Sequence, residues 1–396
     1  MNKIEQLIQQ YCPDGIEFKE LGDVCEVLRG KRLTKKELSK DGNYPVFHGG
    51  LIPLGRYNEF NRKANQTMVI NTGSVGEVVW SGVDFWSSDG TFVVKTHENI
   101  EDKFLYYFLK IQEPYLKSQR RDGGVPTIDR QSVEKLQIPI PPLPVQGEIV
   151  RILDKFTELE AELEAELEAR KKQYEFYRNK LLTPVEENGK WKMNGEEVDV
   201  KPLGEVGKFI RGKRFVKADI VTDGVPCIHY GELYTHYNIW AKESISYIEP
   251  ALANKLRFAQ PNDVVIVAAG ETIEDIGNGV AWIGNTPIVI HDACFAFSHK
   301  MNAKYVSYYF RTPMLRTQIK KYISSGKISS ISEYGLVKAT IPIPSLQEQE
   351  RIVSILDNFN SLVNDISIGL PAEIEARRKQ YEYYLNRLLS FKRIDS

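Results

Sequence analysis

Cysteine is scarce in this chain of 396 residues, and the four that occur lie far apart. Cys12, Cys25, Cys227 and Cys294 form no C-x-x-C pair, so neither a zinc site nor a disulfide framework is expected. The six histidines are scattered without metal-ligand spacing, and no cofactor is expected either. No apolar run approaches the roughly 20 residues a membrane helix needs. The opening stretch from Met1 to Ile8 lacks the apolar centre of a signal peptide. These absences point to the cytoplasm, with no membrane contact. Enzyme signatures are missing too. There is no N-P-P-[FYW] or D-P-P-Y of adenine methyltransferases and no Gly-rich cofactor fingerprint after a strand. Gly207 to Arg214 has the G-x-x-x-x-G-K of a P-loop but ends in Arg, with no hydroxyl for Mg²⁺. Pro13-Asp14 with Glu17 and Lys19 faintly resembles a PD-(D/E)-x-K nuclease. Two intervening residues are too few to bring carboxylates from adjacent strands onto one metal, so both matches are read as chance.

What is present is a repeat. Ile138-Pro-Ile-Pro-Pro-Leu-Pro-Val-Gln-Gly-Glu-Ile-Val-Arg-Ile-Leu-Asp-Lys-Phe156 returns at 341–359 as Ile-Pro-Ile-Pro-Ser-Leu-Gln-Glu-Gln-Glu-Arg-Ile-Val-Ser-Ile-Leu-Asp-Asn-Phe, a shift of 203. Glu168-Ala-Arg-Lys-Lys-Gln-Tyr-Glu-Phe-Tyr-Arg-Asn-Lys-Leu-Leu182 returns at 375–389, a shift of 207. Each half also opens alike, Lys19 to Arg32 matching Lys201 to Arg214. Weaker matches follow: Pro45 to Gly49 with Pro226 to Tyr230, Trp80 with Trp282, and Asp89 with Asp292. A duplication of about half the chain places two similar modules on a common frame.

Each module reads as mixed α/β with a β-rich centre. Short β-branched runs such as 67–71, 76–80, 263–268 and 287–290 are strand-like, and 104–110 and 305–311 look like a packed amphipathic helix. The Ile-Pro-Ile-Pro segments are extended, because Pro keeps its predecessor out of the α region. A long helix from about Val145 to Leu182 should follow the first. Within it Glu alternates with apolar residues over 157–170 like a strand. Leu, Glu and Ala are nonetheless strong helix formers, and Leu159, Leu163 and Leu167 recur every four residues. Glu168 with Lys172 is one expected i, i+4 pair, and a solvated single helix remains the competing reading for 157–172. The second helix carries four extra residues plus Gly369 and Pro371, which should kink or break it. If the halves obey a pseudo-two-fold, the helices pair antiparallel. A helix of about 38 residues would span roughly 55 Å, a ruler between the modules.

Net charge is −1 overall, but Lys201 to Thr340 holds 17 Lys/Arg against 12 Asp/Glu, a net +5. Leu143 to Leu182 holds 7 against 9, a net −2. Arg-Gly-Lys-Arg occurs at 29–32 and again at 211–214. Arg29, Lys31 and Arg32, with Arg211, Lys213 and Arg214, are either cations that meet phosphates at a strand-to-loop turn or a basic, solvated Gly turn. His48 and His229 are either base-edge readers or half-buried structural residues. Arg120-Arg121 before Gly123-Gly124, and Lys320-Lys321 before Gly326-Lys327, are candidates for backbone contacts near Gly-containing turns. Tyr106-Tyr107 and Tyr308-Tyr309 read as core. On the long helices, Ile149, Ile152, Leu153 and Phe156, with Ile352, Ile355, Leu356 and Phe359, need a packing partner.

Two variable modules, each closed by Pro-x-Leu-x-x-Gln before a long helix ending in Ala-Arg-(Lys/Arg)-Lys-Gln-Tyr, resemble the specificity subunit of Type I restriction-modification systems. The only departures are local: Gly147 after Gln146, and Gly369 with Pro371 in helix 2. The resemblance covers essentially the whole chain. It implies an α+β architecture: two β-rich target-recognition domains separated by an antiparallel pair of long helices, in a pseudo-two-fold repeat. The expected boundaries are 1–142 for the first domain, 143–184 for helix 1, 185–345 for the second domain and 346–396 for helix 2. The implied partners are double-stranded DNA, read as a bipartite asymmetric site, two methyltransferase (M) subunits, and restriction/translocase (R) subunits joining later. The chain itself is then non-catalytic. A bivalent protein-protein adaptor is the alternative, and an enzyme in its own right a third.

Overall fold

The computed structural model describes residues 3–121 and 124–394. It divides into two compact units, the first formed by 1–164 and 373–396 and the second by 165–372.

In the first unit, β1 (Cys25–Arg29), β2 (Tyr44–Phe47), β3 (Gln66–Ile70), β4 (Val78–Ser81), β5 (Trp86–Ser87) and β6 (Thr91–Thr96) precede α1 (Asp102–Ile111). One sheet has the order β1-β6-β3-β4, and β2 lies between β5 and a short strand, Gly55–Tyr57, in a second. Four of five β3 residues are buried, as expected of an inner strand covered by α1 on one face. The long helix α2 (Leu143–Leu182) begins in this unit.

The second unit repeats the plan with β7 (Gly207–Arg211), β8 (Val225–Ile228), β9 (Val264–Val267), β10 (Gly279–Trp282), β11 (Ile288–Ile290), β12 (Cys294–His299) and α3 (Ala303–Tyr309). Its main sheet runs β7-β12-β9-β10 with a fifth short strand, Trp240–Ala241, parallel to β10, and β8 pairs parallel with β11 as β2 does with β5. A short hairpin, β13 (Ile323–Ser324) with β14 (Ser329–Ile331), follows. Then come α4 (Leu346–Asn364) and, mostly in the first unit, α5 (Leu370–Leu388).

The strand registers fix which residues are true counterparts. Arg29 pairs with Phe92 and Arg211 with Phe295. Counting from there, His48 corresponds to His229 and Asp89 to Asp292, as the sequence match has it. Trp80 does not correspond to Trp282. Trp80 faces Thr67 across the ladder, whereas Val264, the counterpart of Thr67, faces Ala281. Successive strand residues point to opposite faces, so the two tryptophans lie on different sides of their sheets. Trp80 is half-buried and Trp282 fully buried.

Propensity decides the acidic stretch: α2 is one helix of 40 residues. No residue from 157 to 173 is buried, and Leu159, Leu163 and Leu167 form a half-buried stripe. Glu168 pairs with Lys171 at 2.8 Å, not with Lys172 as the i, i+4 rule proposes. One residue less separates the two groups, and either spacing brings them onto one face.

The helical pairing is antiparallel within each unit. In the first, Arg378 reaches Glu160 and Glu164, while Tyr384 stacks on Phe156 further back along α2. In the second, Tyr177 stacks on Phe359, while Asn194 joins the carbonyl of Leu181 to Glu348. Helix 2 is broken, as Gly369 and Pro371 predict. The Asp365 carboxylate accepts from Ser367 N and Oγ, closing the last turn of α4. Gly369 follows with no room for a side chain, since a Cβ there would sit 2.4 Å from the Ser361 carbonyl oxygen.

Repeated polar side chains clamp helix to module. Gln146 is fully buried, accepts from Glu101 N at 2.8 Å and donates to the carbonyls of Asn99 and Pro141. Gln349 does the same with Asn302 N and the Pro344 carbonyl. Asp154 accepts from Tyr107 and pairs with Lys103; Asp357 accepts from Tyr308 and pairs with Lys304. Burial first, and the carboxylate next, push both phenols far above their usual range. Tyr107, Tyr308 and Tyr309 are buried and Tyr106 half-buried. Ile149, Leu153, Ile352 and Leu356 are fully buried, whereas Ile152, Phe156, Ile355 and Phe359 are half-buried.

Candidate nucleic-acid interface

The basic turn is built by the backbone. After β1, Gly30 N donates to the Thr91 carbonyl at 3.2 Å and Lys31 N to that of Ser87 at 2.9 Å. After β7, Gly212 N donates to the Cys294 carbonyl at 3.0 Å and Lys213 N to that of Ile290 at 3.3 Å. The chains approach so closely that a Cβ on Gly30 would lie 1.9 Å from the Ser88 oxygen, and one on Gly212 2.1 Å from the His291 oxygen. The glycine recurs because nothing larger fits. The flanking cations Arg29, Lys31, Arg32, Arg211, Lys213 and Arg214 are all exposed.

A second arginine holds each turn from behind. Arg62 donates to the Arg29 carbonyl at 3.2 Å, and Arg257 to the Arg211 carbonyl at 2.8 Å. Arg211 is itself oriented, donating through Nε to the Asp292 carbonyl and lying 5.2 Å from the Phe295 ring centroid. Lys213 Nζ donates to the Lys255 carbonyl at 3.0 Å.

In the second unit the turn forms one wall of a cleft of about 770 Å³, shared by Arg211, Arg214, His229, Tyr230, His291 and Lys327 among others. The rings of His229 and His291 are 4.7 Å apart, and Phe215 and Tyr230 each lie 5.1 Å from His291. Burial lowers the pKa of both imidazoles, with Glu232 opposing it at His229 and Asp292 at His291. His229 Nδ1 accepts from Gly231 N at 3.4 Å, which leaves the proton of the neutral ring on Nε2. Exposed guanidinium and ammonium groups beside neutral, donor-bearing rings suit an anionic backbone carrying planar, hydrogen-bonding edges.

The first unit has the same frame with a different lining. His48 Nδ1 lies 3.4 Å from Asp89 Oδ1. Ser88 stands where the second unit has His291, Gly49 where it has Tyr230, and Leu33 where it has Phe215.

The remaining basic candidates are not brought together in the way the sequence match proposes. Arg121 bridges Thr127 and pairs with Asp129, while Ser324 bridges Ser330 with the same six-residue separation. Arg121 therefore corresponds to Ser324, and Lys320-Lys321 lie three residues earlier, at the end of the Pro313–Lys320 helix. Gly123 lies outside the described residues. Lys327 lines the cleft; Lys320 and Lys321 do not. Sequence reading missed Arg62, Arg257, Tyr230 and His291. Tyr230 and His291 each adjoin a matched residue, His229 and Asp292, so the signal was position beside a repeat. Among the described residues, no cluster of three or more His, Cys, Asp or Glu could hold a metal, and no helix is long and apolar enough to cross a membrane.

A family model for the Type I restriction modification DNA specificity domain matches residues 13–169 and again 195–376. The EcoR124I/EcoR124II specificity subunit of Escherichia coli is 34% identical over 420 residues, covering 99% of this chain and 97% of that protein. The MjaVIII specificity subunit of Methanocaldococcus jannaschii is 24% identical over 404 residues, covering 96% and 93%. The crystal structure of a Type I S subunit from M. genitalium shares the fold at TM-score 0.59 and 19% identity, covering 95% of this chain and 96% of that one. A chain from a study of type I R-M complex assembly and conformational transition does so at TM-score 0.61 and 16% identity, covering 95% and 97%. Fold and repeat define a duplicated two-module protein of mixed α/β type. The chain belongs to the Type I restriction modification DNA specificity domain family and carries that domain twice.

Proposed function

We propose that this chain is the non-catalytic, sequence-reading subunit of a Type I restriction-modification complex. In this reading residues 1–142 and 185–345 are target-recognition domains, each binding one half of an interrupted, asymmetric duplex sequence. The helical segments 143–184 and 346–396 dock two methyltransferase subunits, with restriction/translocase subunits joining the full complex in the cytoplasm. The observation that carries it is the recurrence of Arg-Gly-Lys-Arg at one register position in both units, presented by a turn with no space for any residue but glycine. Cations held this way meet phosphates and fix register, while His48, His229 and the cleft lining supply edges for bases.

The test is duplex binding by the chain with its methylating partners across a salt series. Each phosphate contact contributes about −0.9 to the slope of log K against log salt. Replacing Arg211 and Arg214 by Ala is expected to flatten that slope by about 1 to 2 and to weaken binding to all sequences alike. A complex whose affinity ignores salt and sequence favours the protein-protein adaptor instead.

A further inference from the structure

The β13–β14 hairpin carries a largely exposed apolar side chain. Ile328 is 63% exposed and stands on the rim of the cleft beside Lys327. A single exposed isoleucine is ordinary. This one is not single. Counting from the Arg121–Thr127 and Ser324–Ser330 bridges, its counterpart in the first unit is Val125, 65% exposed. The neighbours differ, Gly124 and Pro126 against Lys327 and Ser329, yet both units expose a β-branched hydrocarbon two residues before an equivalent bridge.

The hairpin is held firmly enough to present it. Ser330 pairs with Ala269 of the 269–270 strand, Ser324 Oγ donates to the Ser330 carbonyl at 3.1 Å, and Ile331 N donates to the Ala268 carbonyl at 2.8 Å. Ile331 is buried, which anchors the return strand. The apolar tip therefore stands out from a fixed base, next to the cations of the basic turn. Among the base edges of the major groove, the apolar feature a hydrocarbon can read is the 5-position of a pyrimidine, where thymine carries a methyl group.

We infer that Ile328 and Val125 are specificity determinants that read a pyrimidine 5-position, one in each half-site. This rests on the reading of the modules as DNA-binding. Burying one methyl group against the tip changes affinity roughly fourfold.

The experiment uses the full chain in complex with its methylating partners and its mapped target duplex. Each thymine is replaced singly by deoxyuridine, and each cytosine by 5-methylcytosine. Wild type is expected to show one position in each half-site where the methyl group changes affinity about fourfold. Ile328→Ala abolishes that response in one half-site alone, Val125→Ala in the other alone, and Ile328→Val retains it. All three variants keep the wild-type salt dependence. A wild-type complex that binds with full salt dependence but is flat to methyl change at every position overturns the inference and leaves the modules' role standing. So does an Ile328→Ala complex that keeps the response. A complex that binds no duplex overturns both.

Discussion

Phe156 stacks on Tyr384 at 5.3 Å with their planes 25° apart, and Phe359 stacks on Tyr177 at 5.4 Å and 21°. The first partner comes from the start of one repeat and the second from the end of the other, so neither repeat completes its own pair. Each of these half-buried stacks is worth about 1 kcal/mol beyond the area it buries. Phe156→Ala is expected to speed amide exchange in α5 and the start of α2 while leaving α4 at wild-type rates. Phe359→Ala should do the converse. Exchange that rises in both units for either change would contradict the pairing.

The glycine of each basic turn gives a second expectation. Gly30→Ala and Gly212→Ala must push a backbone carbonyl aside, because the added carbon meets it at 1.9 and 2.1 Å. A loss of at least ~2 kcal/mol is expected in the unit that carries the change, read by urea denaturation. Gly50→Ala is the control, since a Cβ there meets only one atom, at 3.9 Å.

His299 sets a pH dependence. Burial lowers its pKa from 6.5 to about 4, and Met301 N donates to Nδ1, a bond that only the neutral ring can accept. The unfolded chain takes up this proton near pH 6.5 and the folded unit only near 4. Stability from this group is therefore complete above pH 6.5 and is lost as pH falls towards 4, by ~3 kcal/mol. Urea midpoints of the second unit should drop between pH 7 and 4.5. His299→Gln should flatten that drop.

The tetrad repetition in α2 predicts a change in target spacing. Deleting residues 161–164 keeps the pattern of leucines and removes about 6 Å and about 40° of helix. Arg378 still finds Glu160, with Glu168 arriving where Glu164 stood. On the proposed reading of two half-sites, the gap between them is expected to change by one or two base pairs, as mapped by methylation in cells. An unchanged gap would refute the helix as the spacer.

The helical frame was legible because its contacts demand particular side chains. Gln146 and Gln349 must satisfy a buried backbone, and Asp154 and Asp357 must meet a Tyr and a Lys, so the same letters return at fixed intervals. The break near Gly369 was legible from backbone chemistry alone. Inside the modules the letters mislead. The two tryptophans sit one register step apart, and the two basic pairs three residues apart, because strands and loops are fixed by backbone pairing that many sequences satisfy. The cleft was least visible. It is assembled from residues 211, 214–217, 229–230, 269–271, 291–293 and 327–328, and no local pattern announces that these meet.

The basic turn is secured by main-chain bonds and by an arginine that grips a carbonyl, so its place does not depend on which side chains line the cleft, although Leu33 and Phe215 beside it belong to the core. Serine, glycine and leucine in one unit give way to histidine, tyrosine and phenylalanine in the other on an unaltered skeleton. On the proposed reading, new preferences arise most cheaply at the half-buried or exposed wall residues, such as His229, Tyr230 and Lys327, whereas a change at Leu33 or Phe215 must also repack the cluster beneath it.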